Sequence, residues 1–289
     1  MKSLNSQAIL VLSLGAFLLL SIPYNLNGGD RDRSTFMAVT DESADLLEHL
    51  KTANIIYLAE SHDNEAAHQA QLAIIQQLQR EDRPVAIALE MFQRPFQPVL
   101  DRYLQREITE DQLRQQSEYD RRWGFDWEYY APILRYAQTH QIPLIAANTP
   151  TEISRKVAQG GLESLSEGDF RYIPPADEIE MGPEAYREYL QQIYSAHGSH
   201  GNSQNFDRFM LAQVLWDETM AEAIAQFWQA NPDTQIIVLA GKGHIMYDYG
   251  IPSRVERRLA DAEFSQISVW LGEFAPNLDP PADYAWPLD

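Results

Sequence analysis

No cysteine occurs in the 289 residues. That excludes disulfides, iron–sulfur clusters, thiolate zinc sites, thiolate-ligated haem and cysteine nucleophiles. It equally excludes a lipid anchor on an N-terminal cysteine. Positive charge is scarce: Lys and Arg total 22 against 42 Asp and Glu, for a net charge of −20. Such a surface repels phosphate backbones, so nucleic acid is not expected as a partner. Any anionic ligand must be held by local cations against the overall field. Several motifs are also missing: the G-x-S-x-G elbow, the Walker loop, G-x-G-x-x-G after a strand, and H-E-x-x-H. Serine hydrolase, NTPase and nicotinamide dehydrogenase readings lose their support.

Long apolar runs are absent but for one. Ala8 to Ile22 is continuously apolar apart from Ser13 and Ser21, and Lys2 precedes it. This is signal-peptide length and short for a bilayer span. Residues 1–29 are therefore expected to be a signal peptide or an uncleaved signal anchor. The protein is expected to be exported, periplasmic or membrane-associated, with any membrane contact made through that segment alone. The chain as a whole has ordinary globular composition, 45% hydrophobic and 22% charged, enough to bury a core without staples.

From residue 36 to 275 the pattern alternates strands and helices. Ile55–Glu60, Val85–Met91, Pro143–Thr149, Gln235–Gly241 and Ile267–Gly272 read as strands. They are apolar on both faces and separated by helical stretches. This predicts an α/β fold with a mainly parallel central sheet flanked by helices. Residues 93–128 and 160–204 carry no strand signal and read as helical insertions forming a smaller sub-lobe. Residues 205–230 read as one long helix ended by Asn231-Pro232. The tail, 276–289, is rich in proline and reads as extended.

Polar residues gather where the strands end. The first strand runs into Glu60, Ser61 and His62, the second ends at Glu90, the third at Asn148, and the fourth runs into Gly241-Lys242-Gly243-His244. Ligands of open parallel sheets bind at the carboxyl ends of the strands. Glu60, His62, Glu90, Asn148 and His244 therefore form one candidate rim. Helix caps and loop hydrogen bonds are the plainer reading of any one of them. AESH and GKGH share the spacing small-x-x-His, in which the small residue is expected to let the chain turn tightly off the strand. Two such histidines with Glu60 have the donor types of a transition-metal site, such as zinc or manganese, and they could equally meet a tetrapyrrole. His68 follows His62 by six residues and is a candidate second-layer orienter. Gln213, Asp217 and Met220 share one helix stripe, and a buried Asp217 would need a partner such as His62 or His244. His197 and His200 lie in a glycine-rich candidate lid.

The blocks LAESHDNEAAHQAQLAII, ALEMFQR, WEYYAPILRYA, IPLIAANTP, AQVLWDETMAEAIAQF and VLAGKGHIMYDYGIPSRV are in order between Asn54 and Arg258. Together they resemble the ChaN-like haem-binding proteins. The resemblance implies an exported haem-binding α/β domain with a helical sub-lobe and a role in iron or haem uptake. It also implies a homodimer that shares haem groups face to face. In that arrangement a tyrosine ligates iron, with Tyr186, Tyr189, Tyr194, Tyr247 and Tyr249 as candidates, and the partner's histidine meets the propionates. His62, His244, Glu60, Glu90, Asn148, Asp217 and Tyr249 are the expected cofactor-binding set, with His62, His244 and Glu60 as the metal-ligating subset. The family's usual glycine before Glu-x-His is Ala59 here. A wider resemblance to Tiki and TraB proteases and erythromycin esterases implies a hydrolase alternative. There Glu60, His62, Glu90 and His244 would act as metal ligands or as a general base.

Overall fold

The computed structural model describes residues 43–80, 83–196, 205–275 and 279–288. The expected N-terminal signal segment and the His197–His200 lid lie outside these residues. Six strands, all parallel, form one sheet in the order β3-β2-β4-β1-β5-β6. They are β1 (Ile55–Glu60), β2 (Val85–Gln93), β3 (Leu144–Asn148), β4 (Gln235–Gly241), β5 (Gln266–Leu271) and β6 (Tyr284–Trp286).

Period-two alternation decides what each face buries. Ile56, Leu58, Ile87, Leu89, Ile237 and Leu239 point to one side. There they pack with residues of α1 (Ser43–Thr52), α2 (Glu65–Gln79), α3 (Gln97–Leu104), α4 (Glu110–Gln116) and α6 (Trp127–His140). Ile55, Tyr57, Ala86, Ala88, Ile236 and Val238 point to the other side, against α9 (Phe206–Ala230) and α10 (Ile251–Arg258). Both faces are covered, which is why these strands read as unbroken apolar runs.

The segment 93–128 carries α3, α4 and α5 (Tyr119–Arg122). After α7 (Thr151–Gly160), the chain makes three short 3₁₀ turns and then α8 (Glu184–Ala196). α8 packs on α9 through Tyr186, Leu190 and Ile193 against Phe209, Met210 and Val214. α9 begins on an Asn205 cap whose side chain accepts from the Arg208 amide, which satisfies one otherwise orphaned donor.

One strand goes beyond the sequence pattern. The proline-rich tail adds β6 to the sheet edge, in register with Val269–Leu271 of β5. Only three residues long, it offers too little alternation to stand out by pattern. Ala59 departs from the family glycine at no cost: it lies inside β1, fully buried, and has no positive φ.

Candidate functional site

Strand register brings the two His-containing turns side by side. Glu60 of β1 pairs laterally with Gly241 of β4, so Glu60-Ser61-His62 and Lys242-Gly243-His244 leave the sheet next to each other. Glu90 lies on β2, between Leu89 and Gln93, where the β2–β3 register shifts. Alternation then splits the carboxylates. Glu60 continues the Ile56–Leu58 face towards α2 and α6, whereas Glu90 continues the Ala86–Ala88 face towards α9.

On the first face, His62 Nδ1 lies 2.8 Å from Glu60 Oε1. The Tyr130 hydroxyl of α6 donates to the same oxygen at 2.5 Å. Gln71 Nε2 of α2 donates to the other carboxylate oxygen at 2.5 Å. His68 stands behind: its Nε2 is 3.1 Å from the His62 carbonyl and its Nδ1 is 3.1 Å from Gln71 Oε1. The His62 ring is walled by Trp123 and Phe125, with centroids 4.9 and 4.8 Å away.

The second face repeats the plan. His244 Nδ1 is 2.7 Å from Asp217 Oδ1, and the Tyr186 hydroxyl of α8 donates to Asp217 Oδ2 at 2.5 Å. Glu90 lies between the two units. Its Oε2 accepts from the Gly241 amide at 2.7 Å, and its Oε1 is 3.4 Å from His244 Nε2. Two Tyr–carboxylate–His units thus flank one shared carboxylate.

Gly241 has ordinary extended backbone, φ −61° and ψ 147°. It is glycine for space and not for a tight turn: a Cβ there would come 2.7 Å from His62 Nε2. Gly250 has a similar task, since a Cβ would run into the His244 carbonyl.

Burial alone would discharge all four central groups. Their mutual charges more than reverse it. For His244, burial lowers the pKa, but the Glu90 and Asp217 carboxylates raise it to about 10. For Glu90, burial raises the pKa, but His244 and His62 bring it down to about 2. His62 is likewise raised against burial by Glu90 and Glu60. Glu60 is lowered against burial by the His62 hydrogen bond and the neighbouring His68 and His62 rings. Tyr130 and Tyr186 are pushed well up, by burial first and the adjacent carboxylates next, so both remain donors.

The linkage follows. A histidine raised from 6.5 to about 10 stabilises the fold fully below pH 6.5, and loses that contribution as pH climbs towards 10. A glutamate lowered from 4.5 to about 2 stabilises it fully above pH 4.5, and loses that as pH falls towards 2. The pair therefore contributes a plateau between pH 4.5 and 6.5 with an alkaline decline. Thermal unfolding followed from pH 6.5 towards 10 should show a steeper alkaline fall for the native protein than for His244→Gln. Equal slopes would contradict the raised His244.

The remaining expected residues fall around this centre. Asn148 serves the backbone: its Nδ2 donates to the Glu90 carbonyl at 2.9 Å and its Oδ1 accepts from the Thr149 amide. Asn64 caps α2. Met220 belongs to the core under the sheet. Gln213 is buried with an unpartnered Nε2. Tyr249 stacks in a tyrosine cluster, 6.0 Å from Tyr186 and 5.5 Å from Tyr247. Among the described residues, no three His, Asp or Glu side chains are placed to hold a metal ion. Sequence reading missed Tyr130 and Gln71. Gln71 had a signal, since it lies one turn from His68 on the buried side of α2.

One further atom stands out. The Tyr189 hydroxyl is buried and has no hydrogen-bond partner. It faces the GKGH turn, where a Cβ on Gly243 would sit 3.8 Å away. Burial first, then the nearby Tyr247 and Asp217, push its pKa up.

Comparison with known proteins places the chain. The family model described as haem-binding uptake, Tiki superfamily, ChaN matches residues 46–255. No curated protein matches the chain. Among solved structures, ChaN of Campylobacter jejuni, described as binding haem cofacially, is similar over 84% of this chain and 91% of its own, with 18% identity and a TM-score of 0.65. That similarity shows the fold. A mutant of the erythromycin esterase EreC, in its open conformation, overlaps 80% of this chain and 72% of its own at 15% identity, with a TM-score of 0.47. The RRSP effector domain of a MARTX toxin from Vibrio vulnificus overlaps 81% of this chain and 35% of its own at 13% identity, with a TM-score of 0.41.

Proposed function

The chain belongs to the ChaN family of haem-binding uptake proteins in the Tiki superfamily, and from that premise we propose that it binds haem through the Tyr189 phenol. The single observation that supports this is the orphaned Tyr189 oxygen. A buried hydroxyl without a partner costs free energy that the folded chain recovers only if something else bonds it. A phenol oxygen is also an established haem-iron donor. The surroundings fit a porphyrin. Tyr186, Tyr194, Phe206, Phe209 and Tyr249 make an aromatic cluster around α8. The histidines fit an axial role less well. Both ring nitrogens of His244 face carboxylates, and His62 Nδ1 is held by Glu60.

Bound haem would supply a ferric centre able to hold a phenolate, which offsets the raised pKa of Tyr189. The protein's own residues keep the phenol from bulk water and fix its orientation through α8. Export, a role in iron or haem acquisition, and a homodimer sharing haem across its interface belong to this proposal. Haem titrated into protein starting near Ala38 should give a saturable Soret shift at about one equivalent per chain, with light scattering reporting the dimer. No saturable shift would overturn the reading.

One observation favours a second reading. Two Tyr–carboxylate–His units around Glu90 form an ordered, charged rim that a plain haem carrier does not need, and such units activate water in hydrolases. In that case His62 or Glu90 takes the proton, and Glu60→Gln removes turnover while leaving ligand binding intact. Turnover retained in Glu60→Gln would exclude it.

A further inference from the structure

The Tyr189 oxygen is buried, so a planar ligand reaches it only if one of its walls moves. Two walls are anchored from within. α8 is tied to α9 by the Tyr186–Asp217 hydrogen bond and by Leu190 and Ile193 in the core. The GKGH turn is fixed at Gly241 by Glu90 and at His244 by Asp217. The third wall is the loop that follows His244. Its Tyr247 phenol is near enough to help raise the Tyr189 pKa, and its Tyr249 ring lies between those of Tyr247 and Tyr186.

That loop is strained. Tyr247 (φ 54°, ψ 18°) and Asp248 (φ 59°) are both in the left-handed region. No other two successive non-glycine residues among those described are. A Cβ makes that region unfavourable, so neighbouring contacts must hold the pair there. At Tyr247 the C-terminal tail supplies them. The Tyr247 amide donates to the Pro281 carbonyl at 2.7 Å, and its hydroxyl donates to the Asp279 carbonyl at 3.4 Å. The tail is pinned in turn to β5. Asp283 Oδ2 accepts from the Ser268 amide and hydroxyl, both at 2.8 Å, and the three residues of β6 continue the pairing. Pro281 and Ala282, between the two sets of contacts, are buried.

We propose that this tail is a strap that gates the Tyr189 site. Docked on β5, it holds the Tyr247–Tyr249 wall against the phenol. Undocked, it frees the Tyr247 amide, the strained pair relaxes, and the wall swings aside to admit a tetrapyrrole. The proposal rests on the haem reading for the ligand and adds to it what controls entry. A three-residue strand at a sheet edge opens at lower free energy than the central strands do. Haem then enters at a rate, and binds with an apparent affinity, set by the fraction of molecules whose strap is undocked.

The test uses the full chain and exploits its lack of cysteine. Ser268→Cys with Asp283→Cys joins two side chains already in contact, so oxidation locks the strap. The same protein reduced and capped with iodoacetamide, and Asp283→Ala, leave it loosened. Thermal unfolding confirms that each protein folds. Hydrogen exchange over residues 245–249, measured without haem, should be about tenfold slower or more in the locked protein than in the loosened ones. Stopped-flow mixing with haem should show association about tenfold slower or more in the locked protein, and faster than native in Asp283→Ala. Equal exchange in locked and loosened proteins would overturn the strap. Exchange that responds while haem association does not would overturn the gate and leave haem binding in place. Failure of the native chain to saturate would overturn the haem reading and the gate together, and is told apart because the exchange measurement contains no haem.

Discussion

Glu218→Gln is expected to destabilise the protein by about 3–5 kcal/mol, the cost of leaving buried charges unpaired. Glu218 is fully buried on α9. Arg257 Nη2 donates to both its oxygens at 2.9 and 2.7 Å, Arg258 Nη2 donates at 2.7 Å, and Arg254 Nε lies 3.2 Å away. The Glu180 amide also donates to Glu218, at 3.1 Å. Arg254, itself 2% exposed, then donates to the carbonyls of Tyr249, Gly250 and Glu180. The cluster thus ties α9, α10 and the segment before α8 to the loop that follows His244. Removing the carboxylate leaves the buried Arg254 with backbone carbonyls alone and no route to water, while Arg257 and Arg258 keep Glu180 and Glu178. Chemical denaturation should show the loss as a lowered midpoint with an unchanged slope. A shift below about 1 kcal/mol would mean that the arginines find other partners. Replacing the whole cluster with apolar residues is a different experiment and is expected to cost much less.

Tyr189→Phe is expected to weaken haem about 100-fold, or about 2.7 kcal/mol, with no loss of fold stability. The two halves of that expectation come from one observation. The hydroxyl makes no hydrogen bond in the folded chain, so deleting it strands no partner. An axial ligand is another matter, because its loss removes the bond to iron outright. Tyr186→Phe serves as the contrast. Its hydroxyl donates to Asp217, so that variant should destabilise the fold and disturb His244. Haem titration and thermal unfolding on both proteins separate the cases. Weaker haem binding in Tyr186→Phe than in Tyr189→Phe would move the ligand to the neighbouring tyrosine.

Much of the fold is legible in the sequence because both sheet faces are covered, so β1 to β5 stand out as apolar runs with helices between them. β6 escapes because three residues cannot show a period. The rim is legible because parallel strands put their ends together, and Glu60, His62, Glu90 and His244 do meet there. The partners are harder. Burial logic places Asp217, which does bond His244. Tyr130 is hidden among the other aromatic residues of α6, and nothing in its spacing marks it as the donor to Glu60. Tyr189 is one tyrosine of five until its unpartnered oxygen sets it apart. Lack of a partner is a three-dimensional property that no motif encodes. The role of Gly241 also differs from the tight turn its spacing suggests, since the glycine makes room for His62 while its backbone stays extended.

The most direct test of the account is the electron paramagnetic resonance spectrum of the ferric haem complex, recorded for the native chain and for Tyr189→Phe. A phenolate ligand predicts a high-spin ferric signal in the native complex that is lost or altered in Tyr189→Phe and unchanged in His244→Gln. A low-spin signal that survives in Tyr189→Phe and disappears in a His62 or His244 variant would contradict it, and would assign the iron to the strand-end histidines.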